Sequence, residues 1–397
     1  MNFLCVASYF KGNRFLERLK ADGHAVYLLT VESALKEPWA RHACTDVFAV
    51  NNFHDRRGLI NAVAFLTRFL KFDRIVALDD FDIEVGAHLR EHFRMTDTGH
   101  GDSAARFFRD KLAMRTKARE LGILIPEFCP LFNEHDVKEF LARVPGPWLV
   151  KPRSEASAAG IRKVHTPDEA LQRIHELGDD RSFHLIEQMV PGDLYHVDSL
   201  SENGKVVFAE VNGYWRPLLD VYQGGGVYAT RTVPRDRPEV AALREANAKV
   251  LSGFGLGWGA SHTEFMRAHA DGKFYFIETS ARVGGANTAE MVEHATGVNL
   301  WGEWAALEAA RGTNEYRLPR LKQRFGGVVT SLAKQEKPDT SGFSDPEIVY
   351  RLDMKHHIGF VVVADTPERV EQLLTSYIDR IGRDFQAVLP GADKVSH

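Results

Sequence analysis

His262-Thr-Glu264-Phe-Met266 and, past a turn at Ala270-Asp271-Gly272, Lys273-Phe-Tyr-Phe-Ile-Glu278-Thr-Ser280-Ala-Arg282-Val-Gly284-Gly285 form the stretch on which the fold turns. Both halves suit strands, over 259–266 and 273–279, and the glycine-containing turn makes them a hairpin. Residues two apart in a strand share a face, so His262 goes with Glu264, and Glu278 with Ser280 and Arg282. Phe274 and Phe276 have the same parity, so that face passes from apolar to polar along its length. Two carboxylates on paired strands can share a divalent ion. Mg²⁺ takes a few carboxylate oxygens plus phosphate and water, which suits Glu264 and Glu278. Arg282 adds a planar fork for a carboxylate or phosphoryl group. Gly284-Gly285 lets the backbone approach a ligand closely. An ordinary surface hairpin with alternating charges fits the same spacing.

Two groups upstream share this chemistry. Lys111 lies in a helix after Arg109-Asp110, and Lys151 ends the apolar strand Pro147-Trp-Leu-Val-Lys151-Pro152. The following Arg153-Ser-Glu-Ala-Ser-Ala-Ala-Gly160 is rich in small residues and leads into a strand at 161–164. A small-residue loop between two strands has free N–H groups that can cover phosphates, with Lys151 as a point charge on them. A plain hairpin connection fits as well. In His184-Leu-Ile-Glu187-Gln188-Met189-Val190-Pro191-Gly192-Asp193, a strand ends in a Pro-Gly turn. Backbone groups at 188–190 can bond an adenine edge and Asp193 can accept ribose hydroxyls, although a strand and turn alone explain the pattern.

Working outward, the first ~95 residues alternate strand and helix patterns, the mark of a parallel α/β layer. Strands are expected at 2–8, 25–30, 47–50 and 74–78, and helices at 13–21, 59–71 and 84–93. A long helix is expected over 103–121, stopped by Gly122. The segment 148–200 reads as strand-rich with one helix at 167–177. A strand at 206–211 and a helix at 238–254 follow, then helices at 287–294 and 300–310. The last ~75 residues read as a separate small α+β lobe, with strands at 326–332, 347–352 and 359–363, a loop at 333–345 and a helix at 366–381. The expected divisions are 1–100, 101–190, 191–315 and 316–397.

Two motifs mislead. Gly253-Phe-Gly-Leu-Gly-Trp-Gly259 looks like a dinucleotide fingerprint, but it follows a helix and precedes a strand, the reverse of the required order. Asp79-Asp80-Phe81-Asp82 suggests a metal cluster, while a solvated loop with Asp82 near a helix start is the preferred reading. The carboxyl end of a parallel strand is nevertheless where open α/β sheets meet ligands, so Asp79 and Asp80 stay in view.

Composition bounds the partners. A formal charge of −4 from 50 Lys+Arg and 54 Asp+Glu provides no net-positive field for nucleic acid or anionic membrane. Cys5, Cys44 and Cys129 are odd in number and far apart, as expected of core thiols in a reducing compartment. No apolar run reaches membrane-spanning length, and the start lacks a secretory pattern. A cytoplasmic location, small-molecule partners and an optional homodimer are the resulting expectations.

In order, Asp110-Lys111, Val150-Lys151-Pro152, Ile186-Glu187-Gln188-x-Val190-Pro191-Gly192-Asp193 with Val197-Asp198, His262-x-Glu264, and Ile277-Glu278-x-Ser280-x-Arg282-x-Gly284-Gly285 resemble the ATP-grasp superfamily across roughly residues 1–310. Residues 316–397 resemble the C-terminal domain of its L-amino-acid ligases. The resemblance implies an α/β and α+β ATP-grasp fold with a Rossmann-like N-terminal pre-ATP domain and a small C-terminal α+β lobe. It implies ATP and Mg²⁺, usually two ions, with Mn²⁺ as an alternative. Lys111 and Lys151 would meet phosphates, Glu187, Gln188, Met189 and Val190 the adenine, and Asp193 the ribose. Glu264 and Glu278 would carry the metal, with Ser280 standing where the family usually has Asn. Arg282 would hold the carboxylate or acyl phosphate. Gly284, Gly285 and His262 would shape the substrate site, and catalysis would rest on Arg282 and Lys151. The implied activity is an ADP-forming carboxylate–amine ligase making a peptide-like bond. A phosphotransferase to a hydroxyl acceptor and a noncatalytic ATP-binding module remain as alternatives. Arg231, His196, Tyr214, Trp215, Arg216 and Gln223 stay open between ligand contact and core or rim.

Overall fold

The computed structural model describes residues 1–95, 99–156, 158–219, 221, 225–313 and 315–387. Gln223, and Ser157 of the small-residue loop, lie outside them.

The apolar runs of the first segment become parallel strands β1 (Asn2–Ala7), β2 (Ala25–Val31), β3 (Asp46–Val50) and β4 (Arg74–Ala77), ordered β3-β2-β1-β4. Phe3 to Ala7 is wholly buried, which is why β1 carries no alternation: a central parallel strand is covered on both faces. Helix α1 (Asn13–Ala21) joins β1 to β2, α2 (Arg56–Leu66) joins β3 to β4, and α3 (Ile83–His92) follows β4. α1 buries Phe15, Leu16 and Leu19, each contributing about 1.5–3 kcal/mol.

The long helix expected over 103–121 is broken. A turn, α4 (Asp102–Ala105), passes through a 3₁₀ turn at Arg106–Phe108 before α5 (Lys111–Glu120) restarts. The cause is Asp110, an N-cap whose carboxylate accepts from the N–H groups of Leu112 and Ala113. A second, antiparallel sheet, ordered β5-β8-β6-β7, comprises β5 (Phe128–Pro130), β6 (Trp148–Pro152), β7 (Arg162–Val164) and β8 (His184–Gln188). Helices α6 (Glu134–Arg143) and α7 (Pro167–Glu176) pack their apolar stripes on it.

A third sheet has eight strands, all antiparallel, ordered β13-β12-β9-β10-β11-β14-β16-β15. It contains β9 (Gly192–Glu202), β10 (Lys205–Tyr214), β11 (Tyr228–Thr232), β12 (Gly259–Ala268), β13 (Phe274–Ser280), β14 (Phe325–Leu332), β15 (Ile348–Arg351) and β16 (His357–Ala364). Helices α8 (Pro238–Phe254), α9 (Thr288–Thr296), α10 (Leu300–Ala310) and α11 (Pro367–Asp384) accompany it.

The C-terminal α+β segment joins the central sheet. β14 pairs with β11 from Tyr228↔Thr330 to Arg231↔Gly327, so the last strands extend the central sheet. α11 covers this end with Val370, Leu373, Leu374, Tyr377 and Ile381. α10 docks the first domain on the rest, with the Trp304 and Phe15 rings edge to face at 5.1 Å. No helix among the described residues is long and apolar enough to cross a membrane.

Candidate active site

The hairpin forms in the expected register. β12 and β13 place Glu264 opposite Glu278 and His262 opposite Ser280, with a bulge just after Glu264. The Lys111 ammonium at the start of α5 lies 2.9 Å from Glu278 and donates to the carbonyl of Glu155 at 2.6 Å. Residues 153–155 are thereby clamped to the start of α5. Arg153 pairs with the capping Asp110, and the Lys111 N–H donates to the Arg153 carbonyl at 2.8 Å. Burial alone would raise the Glu278 carboxyl, but Lys111 and Lys151 prevail and hold it below the usual range.

Lys151 ends β6 fully buried and ion-paired with Glu187. Burial pushes its ammonium down to about 8 despite that partner. Glu187 also accepts from Arg115 Nε at 3.0 Å. Its burial favours the neutral acid, yet Arg115 and Lys151 keep it below its ordinary range. The Glu187 side chain thus neutralises cations, leaving only its backbone for an adenine. The Gln188 and Met189 N–H groups are engaged, with the carbonyls of Glu127 at 2.8 Å and Pro147 at 2.9 Å. The Val190 N–H and the nearby carbonyls are the edge that an adenine can meet. Asp193 is exposed at the head of β9, 3.4 Å from His269. Gly192 beside it cannot be otherwise: a Cβ there would lie 2.2 Å from the Arg267 carbonyl oxygen.

Arg282 is not an open fork. Its Nε donates to Asp80 at 2.8 Å, a second nitrogen bonds the same oxygen, and Nη1 donates to the Val283 carbonyl at 2.9 Å. Asp79, Asp80 and Asp82 are all buried, so the expected solvated loop is wrong. Asp79 pairs with Lys11, and Asp82 accepts from the Ser8 N–H at 2.7 Å. Desolvation pushes Asp82 up to about 7. Asp80 titrates low because Arg282 and Arg109 outweigh its burial.

Behind the hairpin lies a network that the sequence only hinted at. Asp198 on β9 accepts from His196 at 2.7 Å and Asn212 at 2.9 Å on one oxygen, and lies 2.9 Å from His262 on the other. His196 reaches Thr230 at 2.7 Å, and the Tyr214 hydroxyl donates to Glu264 at 2.6 Å. Burial would lower His262, but Asp198 carries it up to about 9. His196, Asp198 and His262 have metal-ligand chemistry, yet the carboxylate already takes three partners and needs no ion. Gly284 is packed on this pair: a Cβ would meet Asp198 Oδ1 at 2.7 Å and His262 Nδ1 at 2.9 Å. Gly285 has open space. Arg231 sits on β11 over the Trp215 ring at 4.8 Å, with Glu371 at 3.9 Å.

The structure brings Lys111, Lys151, Glu264, Glu278, Ser280 and Arg282 into one region. A divalent ion fits the donor set. Glu264 and Glu278 face each other across the hairpin, each with one oxygen in a hydrogen bond or ion pair, and the second oxygen of each has no hydrogen-bond partner among the described residues. Ser280 follows on the same strand, opposite His262.

Sequence reasoning passed over Arg115 and gave Asp80 no partner. Arg115 had a signal, a charge inside the buried stripe Leu112–Met114–Ala118 of α5. Asp80 pairs with a residue 202 positions away and had none beyond its place after β4.

Known proteins resemble this chain in sequence and fold. Residues 108–286 match the model of an ATP-grasp domain. An L-arginine-specific L-amino acid ligase of Bacillus subtilis is 24% identical over 314 residues, covering 78% of this chain and 73% of that protein. The crystal structure of an L-amino acid ligase from Bacillus licheniformis superposes with a TM-score of 0.76 at 16% identity, over 95% of this chain and 97% of that one. N5-carboxyaminoimidazole synthetase from Staphylococcus aureus, solved with ADP, gives 0.73 at 13% identity over 95% and 96%. Residues 108–286 thus carry an ATP-grasp domain, and the relatives and solved structures that resemble the chain include carboxylate–amine ligases.

Proposed function

We propose that the protein is an ADP-forming carboxylate–amine ligase acting on amino-acid substrates. The observation that carries this reading is the facing of Glu264 and Glu278 across the hairpin, with Lys111 on Glu278 and Arg282 beyond Ser280. A carboxylate acylates poorly because hydroxide is a poor leaving group; transfer of the γ-phosphoryl group to it makes an acyl phosphate. An amine then displaces phosphate, giving an amide, ADP and phosphate.

In this reading Glu264 and Glu278, with Ser280, would hold two Mg²⁺ ions, which would offset phosphate charge. Lys111 and Lys151 bind the phosphates, and the 153–160 loop excludes water from them. Val190 and its neighbours bind the adenine, and Asp193 the ribose. Arg282, oriented by Asp80, presents its remaining N–H groups to the reacting carboxylate. Positioning and charge stabilisation do most of the work, since phosphoryl transfer asks little covalent chemistry of the protein. His262 and Gly284 border the acceptor side.

The test is a coupled ADP-release screen over amino-acid pairs, with products read by mass. ADP formed only when a carboxylate and an amine are both present, with a product lighter by one water than their sum, supports the ligase. Phosphate on a hydroxyl with no amide, or tight ATP binding without turnover, overturns it.

A further inference from the structure

Among the described residues, the cations of the site are matched to carboxylates with one exception. Lys11 pairs with Asp79, Lys111 with Glu278, Lys151 and Arg115 with Glu187, and Arg282 with Asp80. Arg109, half-buried immediately before Asp110-Lys111, has no ion pair and no side-chain hydrogen bond among the described residues. Its guanidinium stacks on Phe81, 4.2 Å from the ring centroid, and Phe81 in turn meets Tyr9 at 4.9 Å. Its charge helps to hold the neighbouring Asp80 ionised.

The place of this arginine matters as much as its lack of a partner. In the order β3-β2-β1-β4, the connections run to opposite sides between β1 and β4. Tyr9 and Lys11 follow β1, and Asp79 to Phe81 follow β4. The crevice outside the carboxyl ends of the strands at such a switch point is where open α/β sheets bind ligands. A stacked guanidinium has its planar edge free for two parallel hydrogen bonds, the geometry that matches a carboxylate. Arg282, two strand positions beyond Ser280 and locked on Asp80, is aimed at the group that reacts.

Resting on the ligase reading, we propose that Arg109 anchors a second substrate carboxylate, one that is not phosphorylated, over the Tyr9–Phe81 floor. That carboxylate is carried either by the amine acceptor, as the α-carboxylate of an amino acid, or by the donor, as the far end of a dicarboxylic acid.

The experiment uses the full chain with Mg·ATP and the best acid–amine pair from the ADP screen. The acceptor is then replaced by its α-carboxamide, and separately the donor by its far-end amide. One of these caps is expected to raise KM for the capped substrate on the order of 10- to 100-fold, as expected for losing hydrogen bonds to a charged group; the cap that does so identifies the carrier. Arg109→Gln should weaken the free acid to the level of the capped analogue, leave the capped analogue unchanged and leave KM for ATP unchanged. Arg109→Lys should recover part of the loss, having the charge without the fork. Wild-type enzyme indifferent to both caps overturns the proposal without any variant. So does an Arg109→Gln enzyme that loses acid and capped analogue equally, or whose KM for ATP rises. A wild-type enzyme that makes no ADP with any acid–amine pair removes the ligase reading itself, and this proposal with it.

Discussion

Lys151 is the residue whose chemistry is most exposed to test. Buried against Glu187, its ammonium titrates at about 8 instead of 10.5. Between those values the unfolded chain holds more protons than the folded one at this position, so its contribution to stability rises with pH across that window. ATP reverses the preference, because phosphate favours the charged form. Nucleotide binding near pH 8–9 is therefore expected to take up protons, detectable by calorimetry in buffers of different ionisation enthalpy, and KM for ATP should climb above about pH 8. Lys151→Ala should abolish the uptake and raise KM for ATP severely; an unchanged KM removes Lys151 from the phosphate site. Glu278→Ala addresses the metal assignment. It should lower ADP formation on the order of 10³-fold, the upper range for removing one preorganised electrostatic group, while the melting temperature stays close to wild type. Normal turnover would place the metal elsewhere. Lys111, Glu264, Glu278 and Arg282 were legible in sequence because strand parity and order along the chain are local facts. The partners that set their states were not. Asp80, Asp198 and Arg115 act through pairings across 202, 64 and 72 positions, and no local pattern carries such a distance.

At the level of elements, the hairpin and the glycines after it work as one unit. Gly284 lies against Asp198 and His262, and Ala286 and Asn287 continue with positive φ of 52° and 60°. Left-handed backbone at residues with a Cβ persists only where surrounding structure enforces it. Gly284→Ala is expected to push the His262 ring off Asp198. The effect should fall on kcat and on KM for the amine acceptor, with KM for ATP within about twofold, since the proposed nucleotide contacts, Lys111, Lys151, Val190 and Asp193, are not among the atoms that a Cβ at Gly284 would meet. Steady-state kinetics with each substrate varied in turn would show it, and equal rises in every KM would mean general loosening instead. The hairpin was predictable from its two-residue period and turn. The break before α5 was not, because an aspartate that caps a helix and one that rides inside it look alike until Leu112 and Ala113 are seen to donate to it.

For the molecule as a whole, the decisive feature is the eight-stranded sheet. The pairing of β11 with β14 was not legible in sequence, because it depends on a contact about 100 positions long and on the short strand β11. Removing residues 316–387 would strip β11 of its neighbour and expose Val227 and Ala229 of the shared core. Such a truncation is expected to aggregate and not to yield a soluble ATP-binding remnant; a monodisperse truncated chain that still bound ATP would contradict this. The other end of the sheet is finished differently. β13, which carries Glu278 and Ser280, is the terminal strand, and its outward groups are taken up one by one: the Phe276 N–H by the Leu124 carbonyl at 2.8 Å and the Ile277 carbonyl by Arg115. Arg115 thus ties two elements together, one arm on Glu187 beside Lys151 and another on the rim of the strand that carries Glu278. The distance from Glu187 on β8 to the outer edge of β13 is thereby set by the span of a single guanidinium.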